Sequence, residues 1–208
     1  KISQMQHPTF LPRADGEIPS YLQEWCNEEG IGMLLIRELN SVEAAANTMN
    51  IIQEYAEGSR LGVPVLVSMD SVHGLSSGST VTPHNLALAA TRDEELVTKL
   101  AEIAREEHLA VGVRMTLSPE ADIASEPRWG RVMETFGEDP DLVTQMVTAQ
   151  VVAFQNGADG LNEGSIVACM KHFPGAGPQM DGKDTSPIVS SEDTLPIHLQ
   201  PYYAALDV

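Results

Sequence analysis

Positive charge is scarce in this chain: 12 lysines and arginines face 30 aspartates and glutamates, a formal charge of −18. A surface of that sign repels phosphate backbones, which argues against nucleic acid as a partner. The acidity names no substrate by itself, because solvated acidic surfaces are ordinary. Cysteine is scarcer still. Cys26 and Cys169 lie far apart and form neither a disulfide framework nor a metal-ligand pattern, so two free thiols are expected. No apolar run approaches the length of a membrane span, and no export signal is read at the start. A chain that begins at Lys1 rather than Met leaves the compartment open. Repeats, low-complexity tracts and linker-like shifts of composition are also missing, so residues 1–208 are read as a single domain. A dinucleotide fingerprint is absent too, since Gly74 and Gly78 after Asp70 lack its spacing.

What is present is enough apolar material, 42% of 208 residues, for one sizeable core. Residues 1–30, with Pro8, Pro12, Gly16 and Pro19, are loop-rich around a short helix over 21–28. Residues 31–36 are continuously apolar except for Gly32, the pattern of a strand buried on both faces. A helix over 41–57 sets Val42, Ala45, Ala46, Met49, Ile52 and Ala56 on one face. A second strand, 63–69, ends at Asp70. Thr91-Arg92-Asp93-Glu94 has the form of a capping box opening a helix to about residue 109. A third strand, 113–117, runs into a long loop. Asp139 and Pro140 read as N-cap and first residue of a helix that buries Leu142, Val143, Met146, Val147, Gln150 and Phe154, with Gly157 ending it in the left-handed conformation. A fourth strand over 166–173 ends in Lys171 and His172, and a last helix from about residue 195 is expected to break near Pro201. Four strands alternating with helices, with polar residues after strand carboxyl ends, suit a parallel (β/α)8 barrel; a doubly wound sheet is the competing reading. A complete barrel takes about 250 residues, so an incomplete one is expected.

The loop over 117–140 holds the densest signal. Arg128, Trp129 and Arg131 sit among Asp122, Glu126, Glu134 and Glu138, and Arg131 is the last basic residue before Lys171. A long segment without regular structure in a compact domain is functional or disordered. Trp129, Phe136 and the prolines argue for order, and hence for one wall of a binding site.

Pro127-Arg128-Trp129-Gly130-Arg131, followed by Glu134-Thr135-Phe136-Gly137-Glu138-Asp139-Pro140, resembles the central signature of glycoside hydrolase family 3. Asp70-Ser71-Val72-His73-Gly74 and Lys171-His172-Phe173 are similar to two further segments of that family, in the family's order. The resemblance starts at Lys1-Ile2-Ser3-Gln4-Met5 and covers most of the chain. It implies the N-terminal portion of a catalytic (β/α)8 barrel. The intact enzyme would be a retaining, exo-acting, β-glucosidase-like hydrolase that releases terminal non-reducing β-D-sugars from oligosaccharides or aryl and alkyl β-glycosides. The nucleophile is then expected beyond Val208 and the acid/base on another domain, so no catalytic residue is assigned here. The rest of the barrel and a second domain are the implied partners. No metal, organic cofactor or membrane contact is implied, and a periplasmic or extracellular location is favoured. Phe173-Pro174-Gly175-Ala176-Gly177 is similar to the N-acetylhexosaminidase branch, except that Ala176 stands where that branch carries a catalytic histidine.

The resemblance carries four sugar-binding residues onto this chain: Asp70, Arg131, Lys171 and His172. Asp70 closes an aliphatic run, where a carboxylate needs a partner, and it can accept hydrogen bonds from vicinal hydroxyls. Its competing role is to brace the loop to His73, itself read as structural. Arg131 offers a planar fork of donors. Arg128 is read as structural, stacking on Trp129 or bracing the loop through Glu126, while Asp122 and Glu134 orient the arginines and Trp129 joins the core. Neighbouring side chains on a strand point to opposite faces, so Lys171 and His172 meet one ligand only across a distorted backbone. The resemblance implies a cis peptide there. Without it, Lys171 reads as a surface charge and His172 as a core histidine. Two other activities compete: a Schiff-base aldolase using Lys171 as nucleophile, and a non-catalytic carbohydrate-binding or scaffold protein.

Overall fold

The computed structural model describes residues 3–10, 18–37, 41–75 and 78–208. Pro12, Gly16, Lys1 and Ile2, named above, lie outside them. Five parallel strands stand side by side in chain order: β1 (Thr9–Phe10), β2 (Met33–Ile36), β3 (Leu66–Met69), β4 (Met115–Thr116) and β5 (Val167–Ala168). One row of paired residues crosses the whole sheet, from Thr9 through Leu35, Ser68 and Met115 to Val167. The carboxyl ends of the strands therefore finish at one level.

The crossovers are helical. They are α1 (Ser20–Gln23), which runs into a π-helical stretch Glu24–Glu29, then α2 (Val42–Glu57), α3 (Asn85–Thr91) with α4 (Glu94–Val111), and α5 (Pro140–Gln155); α6 (Leu195–Leu206) follows β5. A doubly wound sheet reverses its strand order at a switch point. Here the order never reverses, so the sheet is an arc of a (β/α)8-type barrel. The side chains of Ser41, Asp93 and Asp139 cap α2, α4 and α5, each accepting a main-chain N–H of the first turn.

Several expectations need correction. β1 is a fifth strand that the proline-rich start concealed; it pairs because Leu35 N donates to Pro8 O and so extends the ladder. Thr91 does not cap α4. It ends α3, a helix not expected from the sequence, and its hydroxyl donates to Leu88 O, leaving the cap to Asp93. Val42 lies exposed at the start of α2, and the buried face is Ala45, Thr48, Met49, Ile52 and Ala56. The left-handed residue after α5 is Asn156 (φ 60°), with Gly157 following it. Asparagine tolerates that region through its short polar side chain. α6 runs unbroken through Pro201, which is buried with Tyr202 and Ala205 against α5.

Two clusters form most of the core. One joins Ala45, Met49, Ile52 and Ala56 of α2 to Leu34, Ile36, Val67 and Met69 of the sheet. The other packs Val143, Met146 and Val147 of α5 against Leu88, Val97, Phe136 and Tyr202. Both cysteines are free thiols. Among the described residues, no helix is long and apolar enough to cross a membrane.

Candidate sugar-binding site

The polar cluster rises from three strand ends. Asp70 follows β3, Glu120 and Asp122 follow β4 after a cis Ser118–Pro119 bond, and Lys171 and His172 follow β5. Pairing continues past β4 and β5: Ala121 N donates to Lys171 O at 2.8 Å, and Lys171 N to Pro119 O at 3.1 Å. That ladder sets Glu120 opposite Lys171. The Lys171–His172 peptide is cis, and both side chains approach the Glu120 carboxyl.

Arg131 reaches the cluster from the long loop, which is anchored at several points. Trp129 is buried, with its indole N–H donating to Asp184 Oδ1 at 2.9 Å. Gln150 Nε2 on α5 donates to Asn85 Oδ1 (3.2 Å), and Asn85 Nδ2 on α3 donates to Glu134 O (3.0 Å). The 3-10 turn Val132–Glu134 is thereby tied to two helices. At Gly177 the loop after β5 presses on the long loop so closely that a Cβ would lie 1.6 Å from Ile123 O. Only glycine permits that approach.

The side chains form one connected network. Lys171 Nζ donates to Asp70 Oδ1 and lies 3.1 Å from Glu120 Oε1. Arg131 Nη2 is 2.7 Å from the same Glu120 oxygen and 2.6 Å from Glu134 Oε2, which also accepts from Arg131 Nε at 3.1 Å. Arg131 Nη1 is 2.9 Å from His172 Nε2, and His172 Nδ1 is 2.8 Å from Asp122 Oδ2. Arginine has only donors, so Nε2 must accept and the imidazole proton sits on Nδ1, donated to Asp122. Asp122 further accepts the main-chain N–H groups of His172 and Ala176. Arg37 Nη1 donates to Asp70 Oδ2 at 2.8 Å.

Burial shapes the protonation of this network. It pushes the Glu120 carboxyl up to about 7, with the charges of Lys171 and Arg131 and the hydrogen bond from Lys171 pulling the other way. Burial also opposes the Arg131 charge, but the hydrogen bond to Glu134 and the Glu120 and Glu134 carboxylates outweigh it and hold the guanidinium above its ordinary pKa. Glu134 is raised by burial and lowered further by Arg131, so it stays below the usual carboxylate range.

Asp70, Arg131, Lys171 and His172 thus converge, with Glu134 on Arg131, Arg128 on Glu126 and Trp129 in the core as expected, while other supporting roles differ. Asp122 orients His172 rather than an arginine. Arg128 grips Glu126 with Nε (2.8 Å) and Nη2 (2.7 Å), and it is the Arg131 guanidinium that lies 5.9 Å from the Trp129 ring centre. Asp70 does not brace His73, whose ring instead meets His84 edge-on. Glu120 and Arg37 were missed. Glu120 and Asp122 are two residues apart in an extended stretch, and that spacing on one face was the available signal. Glu120, Asp122 and His172 bring ligand atoms within 4.8 Å of one another. They do not fit a metal ion: Lys171 and Arg131 share Glu120 Oε1 beside its other oxygen, both Asp122 oxygens accept N–H groups, and His172 Nδ1 carries a proton. A cavity of about 270 Å³ opens beside Arg131 and His172, walled by Phe173, Gln179, Asp184 and Ile188.

With this geometry in view, similarity to known proteins becomes specific. Residues 1–208 match the family described as "Glycosyl hydrolase family 3 N terminal domain". The chain is 40% identical over 176 residues to a periplasmic beta-glucosidase/beta-xylosidase of Dickeya chrysanthemi, covering 78% of this chain and 27% of that protein. Its structure resembles an exo-1,3/1,4-beta-glucanase from a Pseudoalteromonas species (TM-score 0.85, 27% identity, 99% of this chain and 27% of the other). It equally resembles a beta-N-acetylglucosaminidase from a Paenibacillus species (TM-score 0.85, 27% identity, 98% and 39%). The chain spans well under half the length of each.

Proposed function

Because the chain belongs to glycoside hydrolase family 3, we propose that it forms the sugar-gripping part of the catalytic barrel of a retaining β-glucosidase-like enzyme. The observation that carries the reading is the convergence of Asp70, Arg131, Lys171 and His172 at aligned strand ends, the functional face of such barrels. A ring of charged donors and acceptors beside an open cavity suits the hydroxyls of a terminal non-reducing sugar, in an oligosaccharide or an aryl or alkyl β-glycoside.

The roles follow from the hydrogen-bond inventory. Asp70 accepts from vicinal hydroxyls, while Lys171 and Arg131 donate. His172, with its proton on Nδ1, offers Nε2 as an acceptor, and a sugar hydroxyl takes over or shares the place that Arg131 Nη1 now holds. Such contacts raise kcat only so far as they tighten at the oxocarbenium-like transition state. Retaining hydrolysis also needs an attacking carboxylate and an acid/base. The carboxylates of this cluster are engaged by Lys171, Arg37, Arg131 and N–H groups, so we assign Asp70 to binding and the fully buried Glu120 and Asp122 to holding the residues that bind. The nucleophile and acid/base then belong to the remaining barrel and a second domain, which the longer relatives leave room for. Lys171 Nζ, held between two carboxylates, is not disposed as the free amine of an aldolase. A periplasmic or extracellular location accords with the Dickeya relative's name.

The test compares residues 1–208 with the full-length protein on a chromogenic aryl β-glucoside. Turnover by the full-length protein alone is expected. Robust turnover by the segment, abolished by mutating Asp70, Asp122 or Asp184, would move the chemistry into this chain.

A further inference from the structure

The network is centred on a residue that no ligand can touch. Glu120 has no exposed surface, yet Arg131 Nη2 (2.7 Å) and Lys171 Nζ (3.1 Å) share its Oε1, and His172 Nδ1 lies 3.6 Å from Oε2. Oε2 itself has no hydrogen-bond partner among the described residues. A buried carboxylate with one oxygen unsatisfied is costly to retain, and the donor inventory shows what it does for its neighbours. Lys171 has three N–H bonds; Asp70 and Glu120 take two and leave one. Arg131 has five; Glu134, Glu120 and His172 take four and again leave one.

Resting on the sugar-binding reading above, we propose that Glu120 is the positioning residue of the subsite. It fixes the Lys171 ammonium and the Arg131 guanidinium on one oxygen, so that the last free N–H of each reaches neighbouring hydroxyls of one sugar ring. Without its charge, two cations held at one point repel each other and lose their common spacing.

This role has a signature that packing alone does not produce. Glu120 faces Asp122 on its own stretch, Lys171 and His172 after β5, Arg131 and Glu134 from the long loop, and Tyr202 from α6. Its carboxyl titrates at about 7, so the shared anion is present above that pH and is lost as pH falls through it. Sugar affinity falls with it.

The experiment measures inhibition of the full-length enzyme by D-glucose, an uncharged probe, from acid to alkaline pH. Wild type should bind more tightly above neutrality than below. Glu120→Gln should raise Ki at least about tenfold at alkaline pH and flatten the profile, while Glu120→Asp keeps a titrating step. A folded Glu120→Gln variant with the wild-type Ki and pH profile would overturn the proposal. If that variant does not fold, calorimetry of wild type at neutral pH in buffers of different ionisation enthalpy decides instead. Proton release on glucose binding supports the role, and its absence refutes it. Arg131→Lys is measured alongside. If it raises Ki and Glu120→Gln does not, only the positioning role fails; if neither does, the sugar-binding reading fails with it.

Discussion

The outer and inner sides of one loop hold the same chemistry in opposite surroundings. On the outer side, Arg128 meets Glu126 through two side-chain bonds and a main-chain N–H, with 65% of the arginine side chain exposed. On the inner side, Arg131 is 26% exposed and meets Glu134 and the fully buried Glu120. Bond lengths do not separate the two, since both sites hold well-formed forked contacts. Burial does. Water and salt screen the outer pair, and such pairs contribute little. At the inner site, removing one partner strands a charge that water cannot reach. The comparison teaches that the quality of a salt bridge and its consequence are separate properties, and that the second depends on the least exposed partner.

The largest effect should come from breaking the inner site. Arg131→Ala leaves Glu120 with Lys171 as its remaining close cation and should destabilise the fold by about 3–5 kcal/mol, read from urea unfolding of the full-length protein. An unchanged unfolding midpoint would mean that solvent reaches Glu120 after all. Arg131→Lys should also damage sugar affinity, because an ammonium cannot reproduce the planar fork that makes four hydrogen bonds to Glu134, Glu120 and His172.

Asp70→Asn tests the rim of the same network. It should keep the fold and lower kcat/KM on an aryl β-glucoside at least about tenfold, for a charge-assisted hydrogen bond of about 1.5–3 kcal/mol. A near wild-type rate would reduce Asp70 to a partner of Lys171 and Arg37.

Arg128→Lys probes the outer site and should do least, leaving kcat/KM within about twofold of wild type and its salt dependence nearly flat. A loss of inhibitor affinity larger than that of Arg131→Lys would reverse the ranking of the two arginines.

Much of this arrangement was legible before the fold was seen, for reasons that differ by element. α2, α4 and α5 repeat apolar residues at helical spacing, and Asp139 before Pro140 marked the cap of α5, whereas the α4 cap fell to Asp93 rather than Thr91. α3 spans only Asn85–Thr91 and starts without a side-chain cap, and β1 is a two-residue strand beside Pro8. Neither carries a periodic signal of its own, and both exist because neighbours supply the pairing or the packing. The four sugar-binding candidates lie in segments similar to family motifs. Glu120 lies just before the most similar of those segments and gave no such cue.

By itself, the sequence determined what depends on near neighbours: the long helices α2, α4 and α5, the Asp139 cap, the apolar strands, and the motif residues at strand ends. Only the tertiary structure decided what depends on residues far apart along the chain. It aligned the strand ends, set Glu120 opposite Lys171, gave Asp122 to His172 rather than to an arginine, and separated Arg131 from Arg128 by burial. Periodicity and capping act across a few residues. Register and the dielectric around a charge arise only when distant segments pack together and exclude water.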